Sequence, residues 1–207
     1  MDDLLALIFC SPSGAGKTTL TRHLVTEVPE LTFSVSHTTR RPRDGEVPGE
    51  AYHFVDRPTF ERMIDEARFA EWAPVHEHLY GTSLGELERA RAEGFRGMIL
   101  DVDVQGARQI RARLPDAPAI FVLPPSMTEL RRRLVERRSD GPEQVARRLA
   151  KAKDEIAHYG SFDYLLINDD LEDAKATVVA IARAELTRRR RCAAHAERLL
   201  REAGAER

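Results

Sequence analysis

The chain is poor in cysteine, has no long hydrophobic run and carries almost no net charge. Only Cys10 and Cys192 are cysteines among 207 residues. That excludes a disulfide-stapled scaffold and fits two unpaired thiols in a reducing compartment. The apolar run Leu4–Cys10 is of strand length, and no run approaches the length needed to cross a membrane. The acidic start Met1-Asp2-Asp3 leads straight into that run, which is not the pattern of a signal peptide. These absences predict a cytoplasmic protein. Lys and Arg number 32 against 34 Asp and Glu, a formal charge of −2, so no global field draws the chain to nucleic acid or to an anionic membrane. There is no internal repeat and no low-complexity tract, which sets aside repeat architectures.

What is present is one well-filled domain's worth of residues, 42% hydrophobic and 32% charged. The stretch Ser11-Pro12-Ser13-Gly14-Ala15-Gly16-Lys17-Thr18 organises it. An apolar strand precedes the stretch, and Thr19 to Val25 follow with Leu20, Leu24 and Val25 at helical spacing. Strand, small-residue loop and helix form the context of a phosphate-binding P-loop. Backbone N–H groups and the helix N-terminus suit an anion there. Lys17 is placed for the β- and γ-phosphates of a nucleoside triphosphate, and the Thr18 hydroxyl for Mg²⁺. Ser11 stands where the first Gly of the consensus is usual; serine is small and turn-prone, so the loop still forms.

Further along, Leu31–Ser36 alternates as a strand does. Residues 37–50 carry Arg40, Arg41, Pro42, Arg43, Gly45, Pro48 and Gly49, a substrate-loop composition. Residues 51–55 resume alternation, 56–68 predict a short helix, and 69–73 and 78–82 read as short strands. The segment 36–82 is therefore expected as a small subdomain inserted into a core of 4–35 and 83–185. A helix is predicted over 83–93 with Ser83 at its N-cap, then a strand over 97–104 ending in Asp101 and Asp103. A helix over 105–114 and a strand over 117–123 follow. Ser126 and Glu129 form a capping box for the next helix. The break at 138–142 separates it from a helix reaching about residue 159, with a lid expected at about 134–150. The last strand spans 162–167, and one long helix runs from Leu171 onward. Apolar strands alternating with helices predict an α/β sandwich with a parallel sheet and its ligand at the carboxyl strand ends.

The insert carries a second anion site. Arg40 and Arg43 flank Pro42 and can aim two guanidiniums at one phosphate, and Tyr52 and Tyr80 can donate to it. Glu71 lies in the otherwise apolar Phe69-Ala70-Glu71-Trp72-Ala73. A carboxylate suits the adjacent N1–H and 2-amino donors of guanine, with Ser36 and Thr82 donating to O6. Taken singly, an Arg-rich loop is a solvated loop and Glu71 an exposed strand residue. Their coincidence behind a P-loop favours a purine mononucleotide.

The chain resembles the guanylate kinase family. The resemblance rests on Ser13–Leu20, on Phe33–Glu46 with its Ser36-His37-Thr38-Thr39-Arg40-Arg41-Pro42-Arg43, on Tyr52-His53-Phe54, 69–73 and Tyr80-Gly81-Thr82, and on 100–106 and 167–171, in order over about 4–185. It implies a P-loop nucleoside triphosphatase core in three layers, a GMP-binding insert, a helical lid, and transfer of phosphate from ATP to GMP with Mg²⁺. It implies ATP contacts from Ser11 through Thr19 and from Arg133 and Asn168. Arg40, Arg43, Glu46, Tyr52 and Tyr80 are implied around the GMP phosphate, and Ser36, Glu71, Thr82 and Asp103 around the base. Lys17, Arg137 and Arg148 are expected to act on the transferring group, with Thr18 and Asp101 toward the metal. The lid tip Arg138-Ser139-Asp140-Gly141-Pro142 departs from the family's usual pattern. Two rivals are a kinase of similar fold acting on ribose 1,5-bisphosphate, against which Glu71 and Thr82 argue, and an inactive phosphopeptide-binding module, against which the intact Lys17 and Thr18 argue. The Arg-rich tail 186–207 lies beyond the resemblance, and the expected assembly is a monomer or a homodimer.

Overall fold

The computed structural model describes residues 4–136 and 141–205. The chain opens with β1 (Leu5–Cys10), α1 (Lys17–Glu27) and β2 (Leu31–Phe33). Then come β3 (His37–Thr38), β4 (His53–Phe54), α2 (Arg57–Asp65), β5 (Phe69–Val75) and β6 (His78–Ser83). α3 (Gly85–Ala92), β7 (Gly97–Asp101), α4 (Val104–Arg113), β8 (Ala119–Leu123), α5 (Met127–Glu136) and α6 (Pro142–Ile156) follow. β9 (Tyr164–Ile167), α7 (Leu171–Leu186) and α8 (Arg189–Ala205) complete the order.

Five strands form the core sheet in the order β2-β7-β1-β8-β9, all parallel. The central strand β1 explains the layers. Leu5, Leu7 and Phe9 point into a cluster with Leu20 and Leu24 of α1 and Val178 and Ala182 of α7. Ala6 and Ile8 point the other way, onto Leu87 and Ala90 of α3 and Ala107 and Ile110 of α4. A strand buried on both faces reads as a continuous apolar run, and each fully buried Leu or Ile contributes about 1.5–3 kcal/mol. The chain leaves β1 for β2 on one side and later reaches β8 on the other. The carboxyl end of β1 is thus a switch point, where α/β sheets bind ligands.

A second, four-stranded sheet has the order β4-β3-β6-β5 and is mixed. With α2 it encloses its own small core of Phe60, Met63, Phe69 and Leu79, and Phe60 stacks on Phe69 with centroids 4.4 Å apart. Asp56 caps α2 by accepting from Thr59 N at 2.8 Å, ahead of Pro58 in the first turn. A further cluster, Leu130 and Leu134 with Val145 and Ala152, holds α5 against α6. Among the described residues no helix is long and apolar enough to cross a membrane, and both cysteines are free.

Three local expectations fail for physical reasons. Ser83 does not cap a helix: it ends β6, opposite Phe69, and α3 begins at Gly85 without a side-chain cap. The strand expected over 51–55 is only His53–Phe54, because the chain on its N-terminal side turns back through the Pro48–Tyr52 bridge. The single long helix from Leu171 is two helices. Thr187 Oγ1 donates to the carbonyls of Arg183 and Ala184, Arg96 to that of Leu186, and Arg191 to that of Glu185. With its last carbonyls capped by side chains, α7 stops and α8 restarts two residues on. The capping box keeps half its pattern. Ser126 Oγ accepts from Glu129 N at 3.1 Å, but the Glu129 carboxylate turns to Arg132 and Arg133, which hold it down at about 2.

Candidate active site

The loop Ser11–Gly16 joins β1 to α1. Gly14 and Gly16 have φ of 97° and 100°, the left-handed region that favours glycine. A side chain at Gly14 would press on Leu130 and Leu134 of α5, and one at Gly16 would run into the Asn168 amide. Asn168 is buried, and its Nδ2 donates to the Ala15 carbonyl at 2.8 Å. Expected as an ATP ligand, Asn168 is placed as a clamp on the loop's backbone. Arg133 Nη2 donates in turn to the Asn168 carbonyl at 3.0 Å, while its Nε bonds Glu129. Arg133, Asn168, Gly14, Gly16 and Thr19 line an open cleft of about 370 Å³. A second cleft of about 290 Å³ is lined by Ser11, Pro12, Ser13, Lys17, Thr18 and Glu155 among others.

Lys17 spans from α1 to the end of β7, where its Nζ is ion-paired with Asp101 and donates to the Val102 carbonyl at 3.2 Å. The exposed Thr18 hydroxyl stands beside it on the first turn. Hydroxyl and carboxylate oxygens are hard donors of the kind Mg²⁺ takes. Among the described residues no group of three or more His, Cys, Asp or Glu could hold a metal, so such an ion would rely on substrate phosphates and water as well. Cys10, at the end of β1, is pushed up to about 12 by burial and does not ionise.

Of the residues expected around the base, Glu71 and Thr82 lie on the second sheet and Ser36 just before β3. Glu71 lies opposite Thr82, next to an irregularity in the β5–β6 register between Phe69 and Glu71. Such irregularities re-aim side chains. Thr82 N donates to Glu71 Oε1 at 2.9 Å, and Thr82 Oγ1 is 3.4 Å from Ser36 Oγ. Burial pushes the Glu71 carboxyl above its ordinary value; its bonds from Thr82 oppose this and the Asp103 charge adds to it. Asp103 caps α4, accepting from Gly106 N at 2.9 Å. Gly106 is the point of close approach: a side chain there would stand 3.4 Å from Glu71 Oε2.

The anion-binding candidates form a neighbouring group. Arg40 donates twice to Glu46, at 2.8 and 2.9 Å, and lies 5.5 Å from the Tyr52 ring centre. The Tyr52 and Tyr80 rings meet edge to face at 5.8 Å. Glu46 also accepts from Arg43 N at 2.8 Å, so it shapes the turn that presents both arginines. Arg148 lies half-buried on α6. Arg137 and the tip residues Arg138, Ser139 and Asp140 lie outside the described residues.

Sequence reasoning missed the residues that join this sheet to the core. Glu86 of α3 is buried. It accepts from Val35 N at 2.7 Å and from Arg89 Nη2 at 2.9 Å, and pairs with His53 Nε2 at 3.0 Å. Gln109 of α4 bonds both the N–H and the carbonyl of Trp72 in β5, at 3.1 and 3.0 Å. No local pattern marks either residue, since both act across long separations. His37, its ring tilted by 38° to that of His53 with centres 4.6 Å apart, is lowered to about 4 by burial and by the neighbouring His53.

Burial pushes the Glu86 carboxyl up, but Arg89, Val35 N–H and His53 together hold it below the ordinary 4.5. Its contribution is therefore present above that value and lost as pH falls through the folded one. Glu86→Gln should cost about 3 kcal/mol at neutral pH, as expected when a buried ion pair loses one partner. Urea unfolding at pH 7 and pH 4 checks this: the deficit should shrink in acid, and an equal deficit at both pH values would count against the charged hub.

A family model described as guanylate kinase matches residues 5–185. The chain is 51% identical to a guanylate kinase of Nitratidesulfovibrio vulgaris over 170 residues, covering 82% of each chain. It is 48% identical to that of Dechloromonas aromatica over 177 residues, covering 86% of this chain and 87% of the relative. The crystal structure of guanylate kinase from Anaplasma phagocytophilum superposes with a TM-score of 0.68 at 34% identity, covering 92% and 90% of the two chains. With the P-loop, the parallel core and this likeness over most of its length, the chain belongs to the guanylate kinase family.

Proposed function

We propose that this chain transfers the γ-phosphoryl group of ATP to the phosphate of GMP, giving ADP and GDP. The carrying observation is the juxtaposition of Glu71, Thr82 and Ser36 in a chain whose parallel core carries an intact phosphate loop. An oxygen of the GMP phosphate attacks the γ-phosphorus, the bond from that phosphorus to the β–γ bridging oxygen breaks, and ADP leaves. The attacking oxygen is already anionic near neutral pH, so no strong base is needed. Positioning and charge neutralisation carry the catalysis.

In this reading the loop N–H groups and Lys17 cradle the β- and γ-phosphates. The cleft between Arg133, Asn168 and Thr19 receives the nucleoside of ATP. Arg40, Arg43, Tyr52 and Tyr80 hold the GMP phosphate, with Glu46 fixing Arg40. Thr18 and Asp101 would hold Mg²⁺, which would offset the negative charge of the phosphates. Asp101 would then exchange its pairing with Lys17 for that role, freeing Nζ for phosphate. Arg148 and Arg137 belong to the lid and are assigned to the transferring group. Glu71, Ser36 and Thr82 read the base, and Asp103 acts beside them by fixing the start of α4.

The test is ADP release with ATP and, in turn, GMP and ribose 1,5-bisphosphate. Release is expected with GMP and not with the sugar phosphate. The reverse preference would replace this reading with the sugar-phosphate kinase, and release with neither would favour the binding module.

A further inference from the structure

A third cavity lies on the opposite end of the core sheet from the phosphate loop, at the N-terminal ends of β1 and β8. It encloses about 250 Å³. Its floor is apolar, with Leu87 of α3, Leu114 after α4 and Ala117 before β8. Its wall is cationic, with Arg113 at the end of α4 and Arg190 and Arg191 from the first turn of α8. Those last two lie beyond the stretch that matches the family model.

The acids at hand do not balance this wall. Arg190 uses Asp116, through its carboxylate at 2.5 Å and its backbone carbonyl at 2.6 Å. Arg191, whose side chain is 4% exposed, reaches Glu185 Oε2 at 3.3 Å. Glu185 is already shared with Arg188 at 2.7 Å and the Tyr164 hydroxyl at 2.6 Å. Arg113 spends one bond on the Ala67 carbonyl at 3.2 Å. The Nε atoms of both Arg190 and Arg191 are buried with no acceptor among the described residues. Those two atoms are turned away from the cavity's open volume, but four arginines, Arg91, Arg113, Arg190 and Arg191, line it against one carboxylate, Asp116, among the described residues, so positive charge is in surplus there. Burial, and then the neighbouring Arg190 charge, lowers the Arg191 pKa, in keeping with surplus positive charge.

We infer that this cavity is a binding site for a small amphiphilic organic anion, whose acidic head meets Arg113, Arg190 and Arg191 and whose apolar body covers Leu87, Leu114 and Ala117. Guanidiniums recognise carboxylate and phosphate heads by paired, charge-assisted bonds. The apolar floor demands more than a bare ion, and the cationic wall more than a neutral hydrocarbon. The site is remote from the nucleotide clefts and independent of the activity proposed above.

The experiment titrates the full chain with octanoate, hexanol and inorganic phosphate, following backbone amide shifts. Octanoate should give saturable shifts at residues 87, 114, 117 and 190. Hexanol and phosphate should bind there at least about tenfold more weakly, each having only half of the required chemistry. Arg190→Gln should weaken octanoate about tenfold and leave ADP release without octanoate unchanged. Arg113→Gln, at an exposed residue, serves the same purpose if the first variant is poorly folded. Octanoate binding no better than the two controls, insensitivity to both variants, or shifts confined to the phosphate loop would each overturn the proposal.

Discussion

Lys17→Ala is expected to lower the transfer rate by about 10³-fold, the order of loss seen when a preorganised donor to developing charge is removed. The ammonium enters the phosphate site from the first residue of α1 and has two anchors at the end of β7, the Asp101 carboxylate and the Val102 carbonyl. Those anchors hold the charge at the edge of the phosphate site before any triphosphate arrives, and the Val102 carbonyl remains to position it once Asp101 turns to the metal. GMP binding should change little, because the proposed GMP contacts lie on the second sheet and its loops. Stability should also change little. Asp101 loses its partner but is 40% exposed, and water can replace the ammonium. Lys17→Arg should not restore the rate, since a planar fork does not occupy the place of a compact ammonium. The measurement is single-turnover transfer at saturating ATP and GMP, with calorimetric GMP titration as control. Near-normal turnover in Lys17→Ala would remove the phosphate loop from the mechanism.

The parts of this site that were legible in the sequence are those whose chemistry is local. Gly14, Gly16, Lys17 and Thr18 sit within five residues, and a loop between an apolar strand and a helix leaves few alternatives. β1 is similarly legible, because burial on both faces shows as an unbroken apolar run. The parallel core followed from strands alternating with helices. The residues that set geometry from a distance were not legible. Asn168 is reached only through the family resemblance, as an ATP contact; nothing local shows that its amide clamps Ala15, 153 positions away. Glu86 looks like an ordinary helix-surface acid, and only the fold brings Val35, His53 and Arg89 around it. The end of α7 was hidden for a related reason. Helix propensity continues through 186–205, and the break comes from side chains satisfying the last carbonyls.

The last expected result couples base choice to stability at Glu71. In the unliganded fold its carboxylate has the Thr82 N–H at 2.9 Å as partner, and burial pushes its pKa above the ordinary 4.5. The sign follows directly. A carboxyl raised in the folded state favours its neutral form there, so ionisation lowers stability as pH rises through the folded value. Glu71→Gln should therefore melt at a higher temperature than the parent chain at pH 7, and the difference should vanish below about pH 4. Function should move the other way. Guanine offers N1–H and a 2-amino group to the carboxylate; IMP lacks the second, and AMP lacks the N1–H and faces Ser36 and Thr82 with a donor. Each unpaired polar group costs roughly 1–3 kcal/mol. The parent chain should thus rank GMP above IMP above AMP in kcat/KM, with GMP preferred over AMP by about a thousandfold or more. An amide at 71 presents a donor as well as an acceptor, so the substitution should cut kcat/KM for GMP about a hundredfold and compress the ranking. The paired measurement is thermal melting across pH together with kcat/KM for the three nucleotides on both chains. A variant that melts higher but keeps the full GMP preference would leave Glu71 a half-buried strand acid and return the base-reading role to Ser36 and Thr82. An unchanged melting temperature with lost preference would mean that the half-buried carboxylate carries no penalty until GMP binds.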